Sequence, residues 1–161
     1  MKKNTLTHVD TDGNPRMVDV SGKKISLRTA SARAVIRPGD EVLKAIRDGE
    51  LITKKGPVFH TAIVAGVMGA KQTSTLIPFC HSLGLDDCQI RIHVHKKKII
   101  VNTSATVKAK TGVEMEALTA ATIAALTVYD MCKALTHDIV IEEVKLMSKT
   151  GGKKDFVRKE K

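Results

Sequence analysis

Two groups of ionisable residues stand at the ends of one largely apolar stretch, residues 110–133, KTGVEMEALTAATIAALTVYDMCK. Glu114, Met115 and Glu116 lie near its start, and Asp130 and Lys133 near its end. A carboxylate and an ammonium group three residues apart are one helical turn from each other, and such groups are harder to explain as packing than the apolar residues between the two clusters. The same residues also fit blander roles: a cap, an acid complementing the helix dipole, and a solvated surface pair.

The element that must carry these groups is a long helix. Val113, Ala117, Ala120, Ala121, Ala124, Ala125, Val128 and Cys132 recur at spacings of three and four, a stripe of small side chains that allows close packing. Thr111 followed by Glu114 matches a capping box, so the helix is expected to begin near Gly112. Glu116 and Asp130 then lie roughly 21 Å apart along the axis, at 1.5 Å rise per residue. One helix cannot bring both to one small ligand. A second copy running antiparallel beside it can, because a two-fold interface uses the same patch of both subunits, and a homo-oligomer with shared sites is therefore expected.

Composition narrows the partners. The chain has 161 residues, 42% hydrophobic, which suits one compact domain with a sizeable core. A formal net charge of +10, from 27 Lys and Arg against 17 Asp and Glu, points to a polyanionic partner: nucleic acid, an acidic membrane surface or a phosphorylated metabolite. With no Trp, one Tyr and three Phe there is little material for stacking unpaired bases. No stretch reaches the apolar length of a membrane span, and the opening residues lack a signal-like apolar core, so a cytoplasmic address is expected. Cys80, Cys88 and Cys132 are odd in number and lack CxxC spacing, which argues for reduced thiols over disulfides or structural zinc.

In chain order, residues 1–29 read as a basic, extended arm carrying Arg16, Lys23, Lys24 and Arg28. Residues 30–148 read as the folded domain, and 149–161 as a basic loop and tail. SARAVIR at 31–37 alternates as a strand, and Asp40 is placed to cap a short helix ending near Gly49. A second helix is expected from Val58 to about Thr73, with Gly66 and Gly69 admitting a close neighbour. Strands at 87–95 and 99–108 form a hairpin through the lysines at 96–98, and IVIEEVKLMS makes a final strand after the long helix. The order β, α, α, β, β, α, β predicts an α+β domain of the ferredoxin-like, split βαβ type: an antiparallel sheet with helices on one face.

Three further groups invite chemistry. His93 and His95 share a strand face with the spacing of a metal pair, but a third ligand is missing nearby and the surrounding Arg91 and lysines repel cations, so no metal centre is expected. Cys80-His81 sits in a loop, where His81 suits proton transfer or donation to a phosphate better than activation of its neighbour. Lys149-Thr150-Gly151-Gly152 is not a Walker loop, since no helix follows it, yet glycines beside lysines can cradle a phosphate.

MVDVSGK at 17–23, KGPVF at 55–59, IPFCHSL at 77–83, KTGVEMEALTAA at 110–121, YDMCKA at 129–134 and KTGG at 149–152 together resemble the MoaC family (molybdenum cofactor biosynthesis accessory protein C), the cyclic pyranopterin monophosphate synthases. The likeness runs over nearly the whole chain from Met17. It departs at PFCHSL, where the family has PLCHPL, and at KTGGKKDF, where KSGGKSGDF is typical. The resemblance implies a ferredoxin-like subunit in a hexamer, a trimer of dimers, with sites at the dimer interface. It implies as substrate the cyclised dihydro-GTP made by an upstream radical GTP cyclase, converted to cyclic pyranopterin monophosphate with loss of pyrophosphate, and no cofactor. Carried over by motif, Asp130 and Lys133 are catalytic, while Phe79, Cys80, His81, Glu114, Met115, Glu116, Lys55, Lys149 and Arg28 contact substrate. Lysine crowding favours a neutral Lys133 and Asp130 a charged one, and the sequence leaves that balance open. The competing reading is a basic ferredoxin-like module that binds RNA backbone without catalysis.

Overall fold

The computed structural model describes residues 12–159. The first eleven residues of the expected arm and the last two of the tail lie outside them. The main sheet is built from β1 (Ser26–Arg37), β4 (Asp87–His95), β5 (Lys98–Ala109), β6 (Val140–Thr150) and β7 (Phe156–Val157), in the order β4-β5-β1-β6-β7. All its pairings are antiparallel. Between the strands come α1 (Asp40–Ala45), a two-stranded ribbon of β2 (Ile52–Thr53) and β3 (Gly56–Pro57), α2 (Val58–Lys71), α3 (Thr73–Leu76) and α4 (Glu114–Cys132). Counting only the four long strands, the sheet order is second, third, first, fourth. Each crossover, through α2 and through α4, skips one strand, which is the expected split βαβ topology of an α+β domain.

The sequence pattern explains the layers. On β1, Ala30, Ala32, Ala34 and Ile36 are buried; on β5, Ile99, Val101, Thr103, Ala105 and Val107 are. These alternate positions share one sheet face. Against them lies the alanine stripe of α4, with Val113, Ala117, Ala120, Ala121, Ala124, Ala125, Val128 and Cys132 all buried. Small side chains let the helix backbone come so close that the Thr103 hydroxyl donates to the Ala117 carbonyl at 2.8 Å. α2 packs on the flank of α4 through its glycines. A Cβ on Gly66 would stand 2.9 Å from the Ala120 carbonyl oxygen, and one on Gly69 2.7 Å from Ile123.

Four local expectations need correction. α4 starts at Glu114 with Val113 as its cap residue and no side-chain cap bond, so the Thr111/Glu114 capping box does not form; the Glu114 carboxylate goes to Lys149 instead. Asp40 lies inside α1, whose cap is Gly39 at φ +82°. That helix ends at Ala45, because Asp48 and Gly49, both at positive φ, make a tight turn between Arg47 and Glu50. Finally, β1 begins at Ser26, inside the stretch read as an arm, because β5 supplies ladder partners from Ser26 and β6 from Thr29.

Candidate active site

The start of α4 forms the floor of a cavity of about 540 Å³. The loop after α3 supplies Phe79, Cys80 and His81, the first turn of α4 supplies Glu114, Met115 and Glu116, and Lys149 enters from the end of β6. A smaller lobe of about 230 Å³ shares Lys149 and Glu114 with it and adds Arg28 and Lys110. The two lobes differ in chemistry. The larger one presents the Glu114 and Glu116 carboxyls, a thiol, an imidazole and an apolar rim beside Lys23, Lys149 and Lys153; the smaller one keeps these three lysines and Glu114, loses the other groups, and adds Arg28 and Lys110.

Each side chain has a definable state. Glu116 is only 4% exposed. Burial, reinforced by the neighbouring Glu114 charge, pushes its carboxyl above the ordinary carboxylate range. Burial and the Glu116 charge likewise push the Cys80 thiol up, so Cys80 is a thiol at neutral pH and no thiolate nucleophile. His81 Nε2 donates to the Val18 carbonyl at 2.8 Å, which leaves Nδ1 as the acceptor of the neutral ring. Arg28 has its Nε buried without a partner, while its Nη2 reaches the Lys110 carbonyl at 3.5 Å. A partly buried guanidinium with an unused donor at the edge of a cationic lobe is arranged to receive an anion.

The segment of the arm after Pro15 is not free in solution. Val18, Val20 and Lys23 line the larger lobe, and Lys110 Nζ donates to the Ser21 carbonyl at 2.7 Å. Lys23 and Lys153 were legible only as members of basic runs. Val18 and Ser21 act through backbone carbonyls, which carry no side-chain signature. Behind the lobes, Gly151 at φ +80° presses against the Leu27 carbonyl, a place where no side chain fits.

Asp130, Lys133 and Lys55 form a separate cluster at the far end of α4. Lys55 Nζ donates to Asp130 Oδ2 at 2.7 Å and to the Asp130 carbonyl at 3.1 Å, while Lys133 Nζ lies 2.8 Å from Oδ1. The turn between β2 and β3 aims Lys55 there, with the Thr53 hydroxyl accepting the Lys55 N–H at 3.1 Å. Within one chain Lys55 therefore stands with the aspartate, apart from Lys149 and Arg28. Hydrogen bonds from Lys133 and then Lys55 lower the Asp130 carboxyl to about 2, and the Asp130 hydrogen bond raises Lys133. The balance left open by the sequence thus falls to an ammonium. Within one chain, Asp130 and Lys133 do not meet the two-lobed cavity.

No group of three or more His, Cys, Asp or Glu among the described residues is arranged to hold a metal. No helix among them is long and apolar enough to cross a membrane.

The model of the MoaC family matches residues 17–152, which include both clusters and every lobe residue named above except Lys153. The chain belongs to the MoaC family. Among similar proteins, the cyclic pyranopterin monophosphate synthase of Peptoclostridium acidaminophilum is 47% identical, with 92% of this chain and 93% of that protein covered. The enzyme of the same name from Xanthomonas oryzae is 48% identical over 94% and 92% of the two chains. Molybdenum cofactor biosynthesis protein 1 of Drosophila melanogaster is 48% identical over 96% of this chain, which spans only 27% of that longer relative. As a MoaC domain, the chain keeps its two clusters at opposite ends of one helix, so any single site that uses both has to be assembled from more than one copy.

Proposed function

We propose that this chain is a cyclic pyranopterin monophosphate synthase, a lyase of molybdenum cofactor biosynthesis that converts cyclised dihydro-GTP to cyclic pyranopterin monophosphate and pyrophosphate. The observation that carries the reading is the pairing of a cationic lobe, with its orphaned Arg28 Nε, to a lobe that holds a buried acid, a thiol and an imidazole. A triphosphate fits the first and a guanine-derived ring the second. Glu116, buried at the foot of the larger lobe, hydrogen-bonds along the ring edge. Arg28 and Lys149 stabilise the negative charge that grows on departing pyrophosphate.

Asp130 and Lys133 act as the proton-transfer pair, delivered by a second subunit. The outward face of α4 supports this: Met115, Leu118, Thr122, Leu126 and Tyr129 recur at helical spacing, with Met115 36% and Leu126 49% exposed. An antiparallel copy packed on that apolar stripe brings the Asp130 end of one helix to the Glu116 end of the other. The assembly is then a dimer at least, and a trimer of such dimers completes the hexamer. We assign the cytoplasm as the compartment, a reading supported by free Cys80, Cys88 and Cys132, and an upstream radical GTP cyclase as the supplier of substrate.

The test is to offer the purified protein cyclised dihydro-GTP and, separately, GTP, following pyrophosphate release and the fluorescent pterin formed on oxidation of the product. Pyrophosphate and pterin from the cyclised substrate alone are expected, with Lys133→Ala slowing turnover about 10²- to 10⁴-fold. Turnover of neither compound, or an unaffected Lys133→Ala variant, defeats the proposal. Salt-sensitive binding to many RNAs with no product is the result the RNA-module reading requires.

A further inference from the structure

Glu114 is the only carboxylate of the smaller lobe, and it stands at the seam between both lobes. Its Oε1 lies 2.8 Å from Lys149 Nζ, and both side chains are partly exposed on the cavity wall. The carboxylate is tucked against Gly112, where a Cβ would overlap it, so the backbone leaves room for this one placement. A phosphate that takes the Lys149 N–H now held by Glu114 displaces that carboxylate. A carboxylate left beside Lys149 repels the phosphate and weakens its hold there.

We propose that Glu114 is a displaceable counter-ion of Lys149, which yields to the phosphate chain on binding and, by returning to Lys149, drives pyrophosphate out after the reaction. The inference rests on the assignment of the smaller lobe to phosphates. Lys149 is the exchanged partner, while Arg28, whose Nε has no internal acceptor, holds the anion without competition. Lys110 donates to the Ser21 carbonyl, an uncharged acceptor that costs less to leave, and the Asp19 carboxylate acts on it through charge without a hydrogen bond among the described residues. Among the cations of the lobe, Lys149 is thus the one whose hold on product is weakened by a built-in acid. Product affinity, and with it the rate of release, is the quantity this arrangement tunes.

The experiment measures inorganic pyrophosphate binding by calorimetry, and pyrophosphate inhibition of turnover, in the wild-type protein, Glu114→Gln and Glu142→Gln. Glu142 pairs with Lys98 and Arg37 far from the lobes and supplies the same change in net charge. Loss of a partly exposed ion pair predicts that Glu114→Gln binds pyrophosphate about threefold to fivefold more tightly, with inhibition strengthened in proportion and Glu142→Gln unchanged. Equal or weaker binding by Glu114→Gln, or an equal gain in Glu142→Gln, overturns the counter-ion role and leaves the phosphate assignment standing. Failure of the wild-type and Glu114→Gln proteins alike to bind pyrophosphate overturns the phosphate assignment itself, and the inference with it.

Discussion

Glu116 shows how one side chain ties stability to chemistry. Its carboxyl has a higher pKa folded than unfolded because burial disfavours the charge. Between those two values the native state holds more protons than the unfolded chain, so stability falls as pH rises through that window and stays low above it. Glu116→Gln removes the penalty. The variant is expected to melt higher than wild type at about pH 7, and the difference should vanish as pH falls below the ordinary carboxylate pKa. Equal melting temperatures at neutral pH would show that the buried carboxylate is compensated. Asp130 behaves oppositely: held at about 2 by its two lysines, it stays ionised through any physiological range and contributes no limb to a pH profile there.

At the scale of elements, α2 is fixed by an acid outside it. Glu50 Oε1 accepts the N–H groups of Leu51 and Phe59, each at 2.8 Å, and Oε2 accepts that of His60 at 3.1 Å. The Phe59 and His60 donors belong to the first turn of α2, which has no internal acceptors for them. Burial alone would raise the Glu50 carboxyl, but the backbone donors and His60 prevail and hold it below its ordinary range. A depressed folded pKa stabilises above the unfolded value and is lost as pH falls through the folded one. Glu50→Gln should therefore cost about 1 kcal/mol at neutral pH. In urea titrations that cost should disappear in acid, where the wild-type carboxyl becomes neutral like the amide. A cost that persists in acid would assign the effect to packing. The same element explains a misreading: Asp48-Gly49 is a tight turn presenting Glu50 to α2, whereas in the sequence it resembles the stop of the preceding helix.

The whole molecule is where the two clusters have to be joined. If each site takes Asp130 and Lys133 from one subunit and His81 and Glu116 from another, two inactive variants complement each other. Asp130→Ala and His81→Ala proteins, dissociated together and reassembled at equal amounts, should recover about a quarter of the wild-type rate, because half the random dimers are mixed and each has one intact site. No recovery on mixing, with reassembly verified by a tagged subunit, would confine each site to one chain. In such a dimer the apolar stripe from Met115 to Tyr129 would set the register of the two helices, and the length of α4 the span of the site.

Periodicity sufficed for the architecture. The alanine stripe of α4, the alternation in β4 and β5 and the two glycines of α2 are local patterns, and each one names a buried face wherever the chain goes. The long helix also placed Glu116 and Asp130 too far apart for one site, a conclusion that needs only the rise per residue. Contacts distant in sequence were decided by tertiary structure alone. Glu114 meets Lys149 and not Thr111, Lys55 meets Asp130 across 75 residues, and His81 is oriented by a backbone carbonyl 63 residues away. Such partners are chosen by where the sheet brings β6, the ribbon and the arm against the ends of α4. Ionisation follows from the same placement, since burial and charge neighbours, which set whether Glu116 and Lys133 hold their protons, exist only once the chain has folded.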